Sequence, residues 1–447
     1  ADTPAPTVIF THGLTVNKES YAQYGLELAR RGFVAIMPDM LNHGDSDITD
    51  ASVYLAPASV NDAYGAYAAV RYAATLDYVD KAQIGVAGHS AGGQAANNCV
   101  RMDNAEETPI ISAIYLVSSD PVYVDEDGKW ANIYGSRDMG VYYTLYDHVY
   151  FKGVGPKGET LAAQQWLSSE SAKSLFAFGQ DPSAFEGREV VPGHTYVGEV
   201  DGKQVFRRVT AAQEIHPKPQ GGSNALEAVC DFFQDTFEAP HYITGQDQHY
   251  FLLTICNLLG LLGILASCVF ALGCLTRLKF FESLRENENT VLRPAPDKKG
   301  KIWFWVLTVA NCVFAFFSIS AIFRYGFGYC NSTIWAQQPT NIYALWALLN
   351  GVFMLITSFV SYGLYARKNG ATMSNWGLKI SLKNLLKSIL AAVGSCAVVF
   401  IAVWIANNIF CVDYHYYLWG LKNIPLENLG VFFAFYKHIL RIQPVFT

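Results

Sequence analysis

The chain of 447 residues contains nine cysteines but no Cys-x-x-Cys pair and no Cys/His spacing of the kind that holds zinc. No metal and no cofactor is expected. No basic patch and no interleaving of basic with aromatic residues is present, which argues against a nucleic-acid partner. No signal-peptide pattern opens at Ala1. The chain instead runs almost at once into the strand-like Thr7-Val8-Ile9-Phe10, so a longer natural N-terminus with a targeting segment is the expectation. Charge is missing from four long stretches. The runs at about 250–276, 302–323, 341–366 and 388–411 hold no Asp, Glu, Lys or Arg.

Each run is long enough to cross a hydrocarbon core of ~30 Å. Helices buried inside a soluble core rarely stay uncharged for so long, so a transmembrane bundle of at least four spans is expected over 250–447. A fifth apolar run, Leu429–Leu440, is interrupted by Lys437 and His438 and reads as a truncated span or an interfacial helix. Most of the cysteines (Cys256, Cys268, Cys274, Cys312 and Cys396) fall in these apolar segments, as small apolar residues do.

The charge that is present divides unevenly. Residues 1–250 carry 16 Lys+Arg against 32 Asp+Glu, and the remainder carries 16 against 6. The basic residues of the second half cluster between spans. Arg277, Lys279, Arg285, Arg293, Lys298, Lys299 and Lys301 lie between the first and second; Arg367, Lys368, Lys379, Lys383 and Lys387 lie between the third and fourth. The intervening loop has only Arg324. By the positive-inside rule the basic loops face the cytoplasm, and the N-terminal half is expected on the extracytoplasmic side. Cys330 and Cys411 would share that oxidising face and are expected to pair. The spans show no acidic pair and no deep Lys or Arg that would mark a transport path. Asn257, Asn311 and Asn350 are expected to make interhelical hydrogen bonds. Anchorage in a lipid bilayer is the simplest role for this half.

The first half alternates β-branched runs with helical patterns, the mark of βαβ units and a parallel sheet. Strands are predicted at Thr7–Phe10, Phe33–Pro38, Gln83–Ala87, Ile110–Val117 and Met139–Tyr146. Helices are predicted at Glu19–Arg31, Val60–Thr75, Ala91–Met102, Leu161–Phe178 and Asn224–Phe237. Thr195–Val209 reads as a hairpin turning at Asp201-Gly202. The fold class is therefore α/β, a mostly parallel sheet with flanking helices over residues 1–240, followed by an all-α membrane domain.

Gly88-His89-Ser90-Ala91-Gly92 matches G-x-S-x-G between a predicted strand and a predicted helix. The glycines permit a sharp turn that exposes the serine oxygen at the carboxyl edge of the sheet. In this context the chain resembles the α/β-hydrolase superfamily over about residues 5–240. Thr11-His12-Gly13-Leu14 follows a strand as the family's oxyanion loop does. Pro38-Asp39-Met40-Leu41-Asn42-His43-Gly44-Asp45-Ser46 looks like the loop D-x-x-G-H-G-x-S, with Asn42 in place of its first glycine. The family's first two strands have no counterpart.

The resemblance implies Ser90 as nucleophile and the N–H groups of Leu14 and Ala91 as the oxyanion hole. The histidine should follow the last strand, which favours His216, with His194 the alternative. The acid should end the strand before that. Asp147 is preferred over Asp138, because the strand run before it is longer and more apolar, and Asp120 is a third choice. His12, His43 and His89 are read as structural residues of turns. The implied activity is a membrane-anchored serine hydrolase that cleaves a carboxylic ester, with a lipid or lipid-linked substrate in view. Acyl transfer, peptidase or thioesterase chemistry on the same fold, and a non-catalytic membrane scaffold or receptor, stay open. The oligomeric state is not legible.

Overall fold

The computed structural model describes residues 3–46, 63–185, 187, 189–285, 297–326, 330, 338–374, 379–410, 412–414 and 421. They fall into two compact units, Ala1–Thr254 and Ile255–Thr447. The expected fifth apolar run, Leu429–Leu440, and Cys411 of the expected Cys330–Cys411 pair lie outside the described residues.

The first unit is built on a seven-stranded sheet of order β2-β1-β3-β4-β5-β7-β6. The strands are β1 (Ala5–Thr11), β2 (Val34–Ile36), β3 (Val79–His89), β4 (Ile111–Val117), β5 (Asp138–Tyr146), β6 (Thr195–Val200) and β7 (Lys203–Ile215). All neighbours run parallel except β6, which pairs antiparallel with β7 across the turn at Asp201-Gly202. The central strands read as unbroken apolar runs because both faces of a parallel sheet are covered.

Alternation along them selects the face. Val8, Phe10, Ala87, Tyr115 and Tyr142 pack with α1 (Ala22–Arg30) and α5 (Ser223–Thr236). Ile9, Val86, Ile114, Leu116, Val141 and Tyr143 pack on the other side, with α2 (Ala66–Ala73), α3 (Ala91–Asn104), α4 (Glu170–Phe176) and the fully buried Trp166. β3 begins four residues before its predicted start, because Val79 is buried and pairs with Ala5. The predicted helix over 161–178 breaks in two. Ser169 is extended (φ −70°, ψ 153°) and its side chain caps α4 by accepting the Ala172 N–H.

A buried ion cluster holds the end of this unit. The Glu27 carboxylate on α1, fully buried, accepts from Arg30 and Arg31 and from the N–H groups of His249 (2.6 Å) and Tyr250 (3.0 Å). Arg31 in turn donates to the carbonyls of Ile243, Thr244 and Asp247. The segment leading into the first apolar helix is therefore tied to α1 through its backbone.

Among the described residues, four helices long and apolar enough to cross a membrane follow: α6 (Tyr250–Arg277), α7 (Lys298–Ala321), α8 (Gln338–Leu364) and α9 (Leu382–Phe410). Most of their large apolar side chains point outward, as lipid-facing residues do. α7 and α8 meet through stacked Phe314 and Phe353 (4.1 Å) and through Trp346, whose Nε1 donates to the Ala315 carbonyl at 2.9 Å. Leu261 and Ile264 of α6 cluster with Val399 and Val403 of α9. Of the asparagines, Asn350 reaches Ser318 across the α7–α8 contact at 3.4 Å. Asn311 instead donates to Leu307 of its own helix.

Candidate active site

Three positions at the carboxyl edge of the sheet, after β3, β5 and β7, bring the site together. Ser90 follows β3, Asp147 follows β5 and His216 follows β7. Ser90 has φ 59° and ψ −122°, a conformation that the flanking packing enforces. A Cβ on Gly88 would lie 2.3 Å from the Gly92 carbonyl, and one on Gly92 would lie 2.2 Å from the Thr11 carbonyl. Only glycine lets the elbow close.

His216 Nδ1 lies 2.7 Å from Asp147 Oδ2, and its Nε2 lies 2.8 Å from Ser90 Oγ. With Nδ1–H donated to the carboxylate, Nε2 is left to accept the serine proton. Asp147 also accepts from Thr144 Oγ1 (2.9 Å) and from the N–H groups of Val149 (2.8 Å) and Tyr150 (2.9 Å). Burial pushes its carboxyl up. The hydrogen bonds from His216 and the two amides outweigh that, so it ends below its ordinary range and stays ionised.

The other carboxylates stand elsewhere. Asp138 opens β5, at the opposite edge of the sheet from Ser90, and accepts the Phe206 N–H. Asp120 follows β4 and accepts the Phe151 N–H at 2.7 Å, while burial pushes its carboxyl up to about 6. Neither has a described bond to His216. His194 is exposed at the start of β6, edge-on to Tyr196.

The remaining histidines brace the loops. His12 Nδ1–H donates to the Gly13 carbonyl (2.8 Å) and its Nε2 accepts the Met40 N–H (3.0 Å), joining the loops after β1 and β2. Burial lowers its pKa to about 4. His43 Nδ1 contacts the Leu41 carbonyl at 3.0 Å. His89 is 3% exposed and sits against His216. Tyr21 donates to its Nδ1 (2.6 Å), so Nε2–H donates to the main-chain carbonyl of His216 (2.9 Å). Burial holds this imidazole down at about 4, neutral in the working range. Tyr21 and His89 thus hold the backbone of His216, and no motif spacing in the sequence pointed to that contact.

Leu14 follows the loop after β1, and Ala91 heads α3 in the first turn, where an N–H has no intrahelical acceptor. A Cβ on Gly13 would stand 3.5 Å from Ser90 Cβ, so the backbone leading to Leu14 passes directly beside the serine. Among the described residues, no three His, Cys, Asp or Glu side chains group as metal ligands.

Residues 8–250 match the family model described as the alpha/beta hydrolase family. The chain belongs to that family. Within this α/β hydrolase, 51 residues are 43% identical to Esterase YjfP of Escherichia coli (strain K12), over 11% of this chain and 20% of that protein. The chain thus spans about a fifth of the length of the curated relative it matches. Among solved structures, the α/β hydrolase GrgF from Penicillium sp. sh18 is 12% identical, covering 53% of this chain and 92% of that one, with a TM-score of 0.33. An esterase from Pyrobaculum calidifontis is 16% identical, covering 52% and 77%, with a TM-score of 0.32.

Proposed function

We propose that this α/β hydrolase is a membrane-anchored serine hydrolase that cleaves a carboxylic ester through an acyl-enzyme. The observation that carries the reading is the unbroken line Ser90 Oγ, His216 Nε2, His216 Nδ1, Asp147 Oδ2, with contacts of 2.8 and 2.7 Å. In this reading Ser90 attacks the ester carbonyl while its proton passes to His216. Asp147 stabilises the imidazolium, and the N–H groups of Leu14 and Ala91 meet the oxyanion. His216 then protonates the departing alcohol, and water repeats the cycle on the acyl-enzyme. The four apolar helices would hold the site at a bilayer, where a lipid or lipid-linked ester is the substrate class within reach. The basic loops after α6 and α8 favour the cytoplasm for themselves and the extracytoplasmic side for the hydrolase unit.

The test is fluorophosphonate labelling of the full chain in detergent. Labelling at Ser90 that is lost in Ser90→Ala supports the reading, and an unlabelled wild-type chain contradicts it. Product analysis with competing alcohols then separates hydrolysis from acyl transfer.

A further inference from the structure

Asp147 is held by more than the imidazole. A carboxylate offers four lone-pair sites, and here each has a donor. Oδ1 accepts the N–H groups of Val149 at 2.8 Å and Tyr150 at 2.9 Å. Oδ2 accepts from His216 Nδ1 at 2.7 Å and from Thr144 Oγ1 at 2.9 Å. The Asp147 side chain is fully buried, so all four partners come from the protein. The two amides meet only Oδ1. Thr144 is the partner that pins Oδ2, the oxygen that must face His216.

A second hydroxyl stands behind the first. Thr144 Oγ1 is also 3.0 Å from Ser118 Oγ, and both residues are fully buried. Proton counting gives the pair its direction. The ionised carboxylate can only accept, so the single Thr144 proton goes to Asp147. The Ser118 proton then goes to a lone pair of Thr144 Oγ1. Donation runs one way, from Ser118 to Thr144 to Asp147 Oδ2, and each bond polarises the next.

The backbone at Ser118 supports a role for its side chain. Ser118 follows β4, and its N–H donates to the Tyr142 carbonyl of β5 at 3.0 Å. Its φ is 45°, in the left-handed region that glycine adopts without strain and serine does not. What serine adds over glycine at this position is the hydroxyl, and the hydroxyl meets Thr144.

Resting on the acyl-enzyme reading above, we infer that Thr144 and Ser118 are positioning residues for the catalytic acid, two hydroxyls in series that keep Asp147 Oδ2 aimed at His216 Nδ1. Neither touches the substrate or the reacting atoms. Their effect reaches the reaction through the imidazole. With Oδ2 fixed, Nδ1–H stays on the carboxylate and Nε2 stays turned to Ser90. The same tie serves acylation and deacylation, because His216 becomes an imidazolium in both.

The experiment uses the full chain in detergent, with kcat and KM for p-nitrophenyl acetate and the second-order rate of fluorophosphonate labelling at Ser90. Thr144→Val keeps the buried volume and removes the donor. Thr144→Ser keeps the donor and removes a methyl group. Thr144→Val is expected to lower kcat and the labelling rate about 10–100-fold, the range for loss of a hydrogen bond to a charged group, with KM within about twofold of wild type. Thr144→Ser is expected to stay within about threefold of wild type, because the bond to the carboxylate survives. Ser118→Gly suits the positive φ and removes only the outer hydroxyl. It is expected to lower kcat about 3–10-fold with KM unchanged, the range for a bond between neutral groups. A residue that serves only to fill space gives the reverse order at position 144, since serine leaves a methyl-sized void and valine does not. Thr144→Val with wild-type kcat, or a loss in Thr144→Ser as large as that in Thr144→Val, overturns the inference alone. Should Thr144→Val fail to fold, Ser118→Gly decides: an unchanged kcat overturns the inference, and a lowered kcat at constant KM supports it. A wild-type chain that does not label at Ser90 overturns the acyl-enzyme reading, and this inference with it.

Discussion

The two units solve the same problem, burial of a backbone and of apolar side chains, with opposite materials. In the hydrolase unit the sheet forces side chains to alternate, and two separate cores form on its faces. The buried charged and catalytic-site groups there are partnered, as around Glu27, Asp147 and His89. α6 to α9 contain no Asp, Glu or His within their bounds, and their backbone bonds are satisfied inside each helix. Their apolar residues face outward as well as inward, because the surrounding solvent is expected to be lipid. Acid–base chemistry requires buried, partnered charge, and among the described residues the buried ion pairs lie in the first unit.

The largest expected effect tests that division. Ser90→Ala should reduce turnover by about 10³-fold or more while the far-ultraviolet helical signal stays unchanged. His216→Ala should be nearly as damaging, and His194→Ala close to neutral. Asp147→Asn should cost far more than Asp138→Asn, whose carboxylate stands at the other edge of the sheet. The measurement is ester hydrolysis by the purified variants. Equal small losses for both aspartates would leave Ser90 and His216 without a working acid and favour a scaffold.

Much of this organisation was legible in the sequence, for physical reasons. Parallel strands bury both faces, so β1, β3 and β4 stand out as apolar runs, and G-x-S-x-G marks its own strand-to-helix turn. Uncharged runs of membrane length identify α6 to α9. The choice between Asp147 and Asp138 was legible only as a preference, since both flank one strand and the sequence alone does not show which end meets His216. The partners of the site were not legible. Tyr21, His89 and His216 are joined by contacts between residues 68 and 127 apart, and the packing of Tyr150 against His216 depends on a turn held by two carboxylates. The broken helix at Ser169 was hidden because its polar cap sits inside an otherwise helical pattern.

The units should also part company in acid. His12 and His89 are held by burial at about 4, below the ordinary histidine value of 6.5. As pH falls below about 6.5 the unfolded chain takes up these protons first. The stability these residues contribute is therefore complete above that pH and declines toward pH 4. Each should account for a loss on the order of 3 kcal/mol by pH 4. Near-ultraviolet circular dichroism along urea titrations at pH 7 and pH 4.5 should show the midpoint falling, while the helical signal of α6 to α9 persists. A flat midpoint would mean that these imidazoles are not buried neutral.

Next in size is the ion cluster before α6. Glu27→Ala would strand the Arg31 guanidinium without its carboxylate and remove the carboxylate that accepts from the N–H groups of His249 and Tyr250. The expected cost is about 3 kcal/mol, with faster proteolysis between 243 and 250. Asp235→Ala removes the exposed partner of the Arg208 pair and should cost under about 1 kcal/mol. Similar losses in the two variants would show that burial adds nothing to the Glu27 cluster.

The smallest effect belongs to the unit of apolar helices and bears directly on the contrast between the two. Asn350 donates to the Trp346 carbonyl of its own helix at 2.7 Å and reaches Ser318 of α7 at 3.4 Å. The longer bond is the only part of this pair that joins two helices, and Ser318 already has an acceptor in the Ala315 carbonyl. A polar pair of this kind is worth about 0.6 kcal/mol on average in a membrane bundle, because the separated helices find other partners. Contact between α7 and α8 rests more on the Phe314–Phe353 stack, which no separated helix can reproduce. Asn350→Leu should therefore shift an SDS-denaturation midpoint only slightly, and Phe353→Ala should shift it more. Reversal of that order, with Asn350→Leu costing 2 kcal/mol or more, would mean that the bundle depends on buried polar pairing as the hydrolase unit does.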